Sequence, residues 1–191
     1  MKKKKQKILI LEGIATSGKT TILNLIKTRF ENKIIKIVEE DETLMPILHN
    51  TSRDIALKHL KAVLDIYLNL DFDILIFDRL YFTHIFRTES IIEEFRKIEN
   101  KLVEFDCSLV FLKVDENMVL KRIQDAIEYR DIGWVKYVKS KGNFEDIEQY
   151  YINQQRELEK LVDNSKLQTN SVNVTKNNYD EVVEEIIEKF K

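Results

Sequence analysis

The chain has 191 residues, which is enough for one domain with a sizeable hydrophobic core. Its formal net charge is −2, so no overall basic field favours a nucleic acid polymer as partner. The single cysteine, Cys107, excludes a disulfide framework and a cysteine-based zinc site. No apolar run approaches the roughly 18 residues of a membrane span, and the apolar stretch after the N-terminal lysines is too short for an export signal. We therefore expect one cytoplasmic domain over residues 1–191, with a flexible basic tail at 1–6.

The first elements in chain order are a strand, a glycine-rich loop and a helix. Residues 8–11 form a continuous apolar run, which is typical of a strand buried on both faces. Residues 13–20 match the pattern G-x-x-x-x-G-K-[ST], and apolar positions in 21–30 recur at helical spacing. Strand, loop and helix in this order is the setting in which the motif binds a nucleotide triphosphate. The alternative is an ordinary strand-to-helix turn that matches the pattern by chance.

Two of the four glycines in the chain lie in this P-loop. Gly18 would let backbone amides approach phosphate oxygens, because no Cβ stands in the way. Lys19 would reach the β- and γ-phosphates, and the Thr20 hydroxyl would help to hold Mg²⁺. The predicted phosphate-binding residues are Gly13, Ile14, Ala15, Thr16, Ser17, Gly18, Lys19, Thr20 and Thr21.

The rest of the chain alternates between strand-like and helical patterns. Apolar runs typical of strands occur at 34–38, 74–77, 109–114 and 171–174, and helical patterns occur at 54–70, 90–105, after Asp115, at 144–162 and at 179–190. This alternation predicts an α/β P-loop NTPase domain with a doubly wound, five-stranded parallel sheet and helices on both faces. The polar stretch 129–143 lacks apolar periodicity, and we predict a mobile, lid-like region at about 126–143.

An acidic residue and an arginine follow the third apolar run. Asp78 would emerge at the carboxyl edge of the sheet beside the P-loop, so we predict Mg²⁺ binding by Thr20 and Asp78. The guanidinium of Arg79 could grip a second phosphate or the transferring phosphoryl group. The alternative is that Asp78 caps a loop and pairs with Arg79.

Further candidate residues follow the second and fourth strands. The four acids at 39–42 would most simply be a solvated turn. Substrates also bind at the carboxyl edge of such sheets, so Glu39 or Glu40 could act as general base or accept a substrate hydroxyl. Arg122 and Arg130 could neutralise charge that develops during phosphoryl transfer, or they could be ordinary surface arginines.

These segments resemble, in this order, the thymidylate kinases and deoxynucleoside kinases. Residues 11–21 resemble the thymidylate kinase P-loop, which typically begins with Glu-Gly, and residues 77–81 resemble the Asp-Arg-Tyr segment of that family and the Glu-Arg-Ser segment of deoxynucleoside kinases. Residues 110–123 resemble the strand and lid helix of both. The resemblance implies an ATP- and Mg²⁺-dependent kinase of a nucleoside or nucleotide. It also hints at a homodimer through helices near 54–70 or 90–105.

Two departures from these families concern the lid and the acceptor. Ala126 stands where nucleoside monophosphate kinases often carry a second lid arginine, for which Arg130 could substitute. The segment after the second strand is acidic, where thymidylate kinases usually have an arginine for the acceptor phosphate and deoxynucleoside kinases a glutamate. The acceptor is thus open between a nucleoside, a monophosphate and another small alcohol, such as a sugar or antibiotic. The predicted catalytic residues are Lys19, Arg79, Arg122, Arg130 and Glu39 or Glu40.

A protein that binds a nucleotide without an acceptor is the alternative of a different class. A guanine-nucleotide switch would usually carry an Asn-Lys-x-Asp motif, and none occurs in the sequence. A P-loop NTPase or a plain nucleotide-binding module would bind ATP, and its turnover would not depend on any acceptor.

Overall fold

The computed structural model describes residues 6–44 and 53–190, so the predicted tail at 1–6 lies almost wholly outside it. The strands are β1 (Lys7–Gly13), β2 (Ile35–Val38), β3 (Ile74–Asp78), β4 (Asp106–Lys113) and β5 (Gln168–Asn173). The helices are α1 (Lys19–Arg29), α2 (Glu40–Thr43), α3 (Arg53–Tyr67), α4 (Phe82–Arg87), α5 (Ile92–Val103), α6 (Glu116–Ile127), α7 (Ile132–Lys139), α8 (Phe144–Asp163) and α9 (Tyr179–Phe190).

All five strands are parallel and form one sheet in the order β2-β3-β1-β4-β5. In the central strand, Ile10 pairs with Phe77 of β3 on one side and Leu109 of β4 on the other. Residues 8–11 are at most 1% exposed, because side chains from both faces of the sheet are covered. The predicted five-stranded parallel α/β architecture is confirmed.

The strand order brings two sequence motifs together at one edge of the sheet. Leu11 of β1 pairs with Asp78 of β3, so the loops that follow these strands lie side by side. The Arg79 amide donates to the Leu11 carbonyl at 3.0 Å and continues this contact beyond the strand. Since the chain winds in opposite directions from β1, this edge is the switch point at which such folds bind ligands.

The region at 126–143 is more regular than its sequence pattern predicts. Helix α6 ends at Ile127, and α7 follows with Asp131 as its N-cap. The Asp131 carboxylate accepts a hydrogen bond from the Trp134 amide at 2.9 Å, and Val138 is fully buried. The stretch 129–143 therefore contains a regular helix, although α7 has only eight residues, which are too few for a clear apolar stripe. Its mobility stays a prediction.

Over residues 6–44 and 53–190, the structure contains no helix of the length and apolar character needed to cross a membrane.

Candidate active site

A cleft of about 660 Å³ opens at the carboxyl edge of the sheet. Its P-loop end is lined by Ala15, Thr16, Gly18, Lys19, Thr20, Thr21 and Tyr179. The remaining lining includes Glu40, Asp41, Asp78, Arg79, Arg87, Arg130, Trp134, Tyr137, Tyr151 and Gln154. Most of the residues predicted from separate motifs therefore share one cavity, of a size usual for ligand sites.

The P-loop has the backbone conformation that its glycines allow. Gly18 has a φ of 84°, and a Cβ at this position would lie 2.3 Å from the ring of Tyr179. Any residue other than glycine would therefore be both strained and sterically blocked here. Of the nine predicted phosphate-binding residues, Gly13, Ile14 and Ser17 are buried beneath the loop, whereas the other six line the cleft.

Lys19 points its ammonium group into the loop. Its Nζ donates to the carbonyl oxygens of Gly13 at 3.1 Å and Ile14 at 3.2 Å, and the residue is 7% exposed. Burial, followed by the charge of Arg79, lowers the pKa of Lys19 to about 8. A phosphate group in the loop would oppose both effects, because an anion favours the charged ammonium.

Asp78 presents a carboxylate oxygen that suits a cation. The residue is 8% exposed, and its Oδ1 is buried without a hydrogen-bond partner among the residues described. Thr20, in the first turn of α1, lines the same cleft. The described residues contain no cluster of three or more acidic, histidine or cysteine side chains that could hold a metal alone. The site thus fits Mg²⁺, which binds through one or two carboxylates together with substrate phosphates.

Arg79 connects the P-loop with the acidic segment. The residue has a φ of 65° and is 5% exposed. Its guanidinium donates to the Gly13 carbonyl at 3.2 Å and to the Glu40 carboxylate at 3.1 Å. Burial opposes the charged form, but the carboxylates of Glu40 and Asp78 raise the pKa of Arg79 above its usual value.

The acidic run after β2 is a short helix with distinct roles for its members, rather than a uniformly solvated turn. Glu39 is the exposed N-cap of α2, and it is not among the residues that line the cleft. Glu40 lines the cleft, with Arg79 at 3.1 Å and Arg87 at 3.7 Å. Burial alone would raise the pKa of Glu40, but Arg79 and Lys19 lower it below its ordinary value. The geometry therefore favours Glu40 over Glu39 as the acid that meets a substrate.

Several side chains, among them Arg87, Tyr137 and Tyr151, line the cleft without any motif to predict them. Arg87 is the last residue of α4, and its guanidinium lies 5.6 Å from the centre of the Tyr137 ring on α7. Tyr151 of α8 is 2% exposed, and its hydroxyl has no hydrogen-bond partner in the described part of the chain. Arg130, which was predicted, also lines the cleft, with its guanidinium 5.1 Å from the centre of the Trp134 ring.

Arg122 lies elsewhere. Its Nη1 donates to the Thr16 carbonyl at 2.9 Å, and its Nη2 donates to the Thr175 carbonyl at 3.1 Å and to the Val174 carbonyl. The guanidinium therefore contacts the back of the P-loop and the segment after β5. It is not among the residues that line the cleft.

Glu12, the first residue of the Glu-Gly pair, has a structural position. Its carboxylate is fully buried and accepts hydrogen bonds from the Leu80 amide at 3.1 Å and the Thr83 hydroxyl at 2.9 Å. Burial raises the pKa of Glu12 above its ordinary value. This side chain fixes the end of β1 to the start of α4 and thereby holds Arg79 beside the P-loop.

Comparison with known proteins supports this picture. No protein-family model matches the chain. Probable thymidylate kinase 1 of Saccharolobus solfataricus is 28% identical to it, over 63% of this chain and 71% of that protein.

Two solved structures share its fold. The YorR protein of Bacillus subtilis, in complex with phosphorylated GDP, has a TM-score of 0.66 and 18% identity, over 95% of this chain and 94% of that one. Shikimate kinase of Bacteroides thetaiotaomicron has a TM-score of 0.60 and 12% identity, over 95% and 97%. The resemblance to thymidylate kinase that the motifs indicate is confirmed, and the chain has a kinase-like P-loop fold.

Proposed function

We propose that the protein is a kinase that transfers the γ-phosphoryl group of ATP to a nucleotide or nucleoside. The observation that carries this proposal is the composition of one cleft. Lys19 and Asp78, which suit a Mg²⁺-bound triphosphate, line the same cavity as the ion pair of Glu40 and Arg79. A donor site and an acceptor site therefore adjoin each other, which is the arrangement that direct phosphoryl transfer needs.

The donor would bind at the P-loop. Backbone amides of the loop and the N-terminus of α1 would hold phosphate oxygens, and Lys19 would leave the loop carbonyls to reach the β- and γ-phosphates. Thr20 and Asp78 would hold Mg²⁺, which neutralises charge on the phosphates when bound.

For a nucleoside acceptor, the hydroxyl would be oriented by Glu40, whereas a monophosphate attacks through an already ionised phosphate oxygen and needs no base. The lowered pKa of Glu40 keeps its carboxylate charged at neutral pH, so it accepts a hydrogen bond from the hydroxyl and takes its proton as the bond to phosphorus forms. A weak base is sufficient because the transition state of phosphoryl transfer is loose. Arg79, already bonded to Glu40 and to the P-loop, would stabilise the transferring group between them.

Arg130 would act from the lid-like region, which also lines the cleft. It precedes α7, in the region predicted to form a lid, and its guanidinium lies over Trp134. Closure of this region would bring its positive charge to the phosphates and exclude water, which limits wasteful hydrolysis.

A nucleotide or nucleoside is the favoured acceptor for two reasons. The rings of Trp134, Tyr137 and Tyr151 line the cleft, and flat aromatic faces suit a nucleobase. The relative in Saccharolobus solfataricus is named a thymidylate kinase, and the YorR structure holds phosphorylated GDP.

An acceptor screen tests the proposal. Nucleosides, nucleoside monophosphates and small alcohols, including shikimate, would each be incubated with ATP, Mg²⁺ and the protein while ADP release is followed. We expect a nucleoside or monophosphate to raise ADP release at least about tenfold above the rate without acceptor, and Lys19→Ala to abolish the increase. Stimulation by a non-nucleotide alcohol alone would reassign the acceptor. ADP release unaffected by every acceptor would indicate an NTPase or binding module.

A further inference from the structure

We infer that Arg122 is a positioning residue that fixes the P-loop for triphosphate binding and that it does not act on the transferring phosphoryl group. This assignment rests on the proposed binding of ATP at the P-loop. Arg122 lies on α6, and its two terminal nitrogens donate in different directions. Nη1 reaches the carbonyl oxygen of Thr16 in the P-loop at 2.9 Å, and Nη2 reaches that of Thr175 at 3.1 Å. The guanidinium thus joins two loops at the carboxyl edge of the sheet.

Arg122 contacts the P-loop at Thr16, the residue of the loop with the least favourable backbone conformation. Thr16 has a φ of 67°, in the left-handed region that a residue with a branched side chain rarely adopts. Such a conformation persists only where the surroundings hold it. The carbonyl and the following amide of a trans peptide point in opposite directions. Anchoring the Thr16 carbonyl outward therefore directs the Ser17 amide into the loop, where it donates to the Ile14 carbonyl at 3.3 Å.

A second branch of the same network reaches the loop at Gly18. The side-chain oxygen of Asn177 accepts a hydrogen bond from Arg122 and another, of 2.8 Å, from the Tyr179 hydroxyl. The ring of Tyr179 lies so close to Gly18 that a Cβ there would be 2.3 Å away. Arg122, Asn177 and Tyr179 therefore contact the P-loop at two points, Thr16 and Gly18. We call these three residues the P-loop brace.

This geometry conflicts with a direct role in transfer. A guanidinium that stabilises the transferring group must face the reacting atoms, as the Arg79 and Arg130 side chains can from the cleft. Arg122 instead donates to the carbonyls of 174 and 175 as well as to the loop. If Arg122 turned into the cleft, these partly buried acceptors would lose their charged donor, which is costly.

The test separates binding of the phosphates of ATP from binding of its nucleobase and from the rate of phosphoryl transfer. Kd values for ATP and for inorganic tripolyphosphate, which has no base, would be measured by calorimetry for the wild type and for Arg122→Ala. We expect both ligands to bind about 10- to 100-fold more weakly and kcat at saturating ATP to change by less than about threefold, because a misplaced loop weakens capture of the phosphates.

Arg29→Ala is the matched control. This exposed arginine pairs with Asp180 at 3.0 Å and joins α1 to α9 without touching the P-loop, so both Kd values should stay within about twofold.

Four results would overturn the inference. A fall in kcat of about 10³ with an unchanged Kd for ATP would show a direct role of Arg122 in transfer. Weaker binding of ATP with unchanged binding of tripolyphosphate would show a contact with the base. Unchanged binding of both ligands would show no role in the loop. If the wild type itself binds neither ligand, the proposed donor site fails, and the assignment of Arg122 fails with it.

A second variant covers the case in which Arg122→Ala does not fold, as judged by circular dichroism. Asn177→Ala keeps the charge of Arg122 and removes the atom that links it to Tyr179. We expect a smaller loss of tripolyphosphate affinity, of about three- to tenfold, since the direct bond to Thr16 remains. Affinity equal to that of the wild type would contradict the network. Where both single variants fold, the double variant should be no weaker than Arg122→Ala, because the two changes interrupt the same brace.

Discussion

Arg79 and Glu40 form an ion pair in which Nη1 and Oε1 are 3.1 Å apart, and the arginine side chain is only 6% exposed. The pair joins the end of β3 to the start of α2, and Arg79 also donates to the P-loop at Gly13. A single guanidinium thus fixes the distance between the loop that suits a donor phosphate and the acid that suits an acceptor. Because the Arg79 side chain is largely desolvated whereas Glu40 is 30% exposed and also lies 3.7 Å from Arg87, loss of Glu40 should cost more than loss of an exposed ion pair would.

The first prediction concerns Glu40. Glu40→Gln keeps the size of the side chain but removes the base and the charge opposite Arg79, so kcat with a nucleoside acceptor should fall by about 10²- to 10⁴-fold. The Kd for ATP should change much less, because Glu40 would contact the acceptor. Steady-state kinetics and calorimetry measure the two effects. Glu39→Gln, a matched change at the exposed neighbour, should give a much smaller loss, and the opposite ranking would identify Glu39 as the base.

The second prediction is the pH dependence of ATP binding. In the free protein the pKa of Lys19 is lowered to about 8, and phosphates would raise it, so ATP binds with uptake of a proton near that pH. Affinity should be constant well below pH 8 and should fall as the pH rises above it, by at most about tenfold per unit.

Calorimetry in buffers of different ionisation enthalpy would measure the proton uptake directly. In Lys19→Arg the guanidinium stays charged over this range, so its affinity, although reduced, should not depend on pH near 8. A wild-type affinity that is flat from pH 7 to about 9.5 would contradict the role of Lys19.

The third prediction concerns the metal. Asp78→Asn removes the charge of the oxygen that is buried without a partner, so the Mg²⁺ concentration for half-maximal activity should rise at least about tenfold. Binding of ATP in the absence of Mg²⁺ should not weaken, because the variant removes an anion from beside the phosphates. Asp41→Asn removes a charge from another residue that lines the cleft and should shift the Mg²⁺ dependence little. Equal shifts in both variants would indicate a general charge effect.

The sequence predicts those parts of the fold in which local pattern and burial agree. Residues 8–11 and 74–77 are recognisable as strands because both faces are buried, which requires a continuous apolar run. Strand β5 begins at Gln168, three residues before its predicted start. The prediction missed these residues because Val172 is the one buried residue of the strand, so the alternation of apolar and polar side chains is weak. Helices α2 and α4 have only four and six residues, too few for periodicity to show.

In the candidate site too, residues within linear motifs could be predicted, whereas residues brought together by tertiary packing could not. The P-loop and Asp78 could be predicted because each forms a linear motif with its strand. Arg87, Tyr137 and Tyr151 could not, since α4, α7 and α8 bring them to the cleft only through tertiary packing. The choice of Glu40 over Glu39 depends on the direction in which a one-turn helix presents its side chains, and composition carries no signal for that.

The fourth prediction concerns stability rather than activity. The Glu99 carboxylate is fully buried and accepts hydrogen bonds from the Tyr81 hydroxyl at 3.0 Å, the Ser165 hydroxyl at 2.7 Å, the Lys166 amide at 3.0 Å and the guanidinium of Arg96. Glu99→Gln would place an amide donor among these donors, so the free energy of unfolding should fall by about 2–4 kcal/mol. Urea denaturation measures this loss.

The pH dependence of that loss provides a check. Burial alone would raise the pKa of Glu99, but its hydrogen bonds lower it below the ordinary value. The stabilisation is therefore complete above the unfolded-state pKa and is lost as the pH falls through the folded-state pKa, so the difference between wild type and Glu99→Gln should narrow in acid. Glu93→Gln, at an exposed partner of the same arginine, should cost less than about 0.5 kcal/mol. A difference that stays constant from pH 7 into acid would contradict the assigned cause.

The last prediction distinguishes a charged acceptor from a neutral one. Arg87 lines the cleft with its Nη2 3.7 Å from Glu40, so its guanidinium is placed to meet an anionic acceptor there. Arg87→Gln should raise KM at least about tenfold for a monophosphate acceptor, because a charge-assisted bond is lost, and less than about threefold for a neutral nucleoside. Arg87→Lys keeps the positive charge but lacks the paired N–H donors of a guanidinium, so the KM for the monophosphate should lie between those of the wild type and Arg87→Gln. Equal increases in KM for both acceptors would show that Arg87 shapes the cleft through its contact with Tyr137, and the acceptor would then bind without an anion at this position.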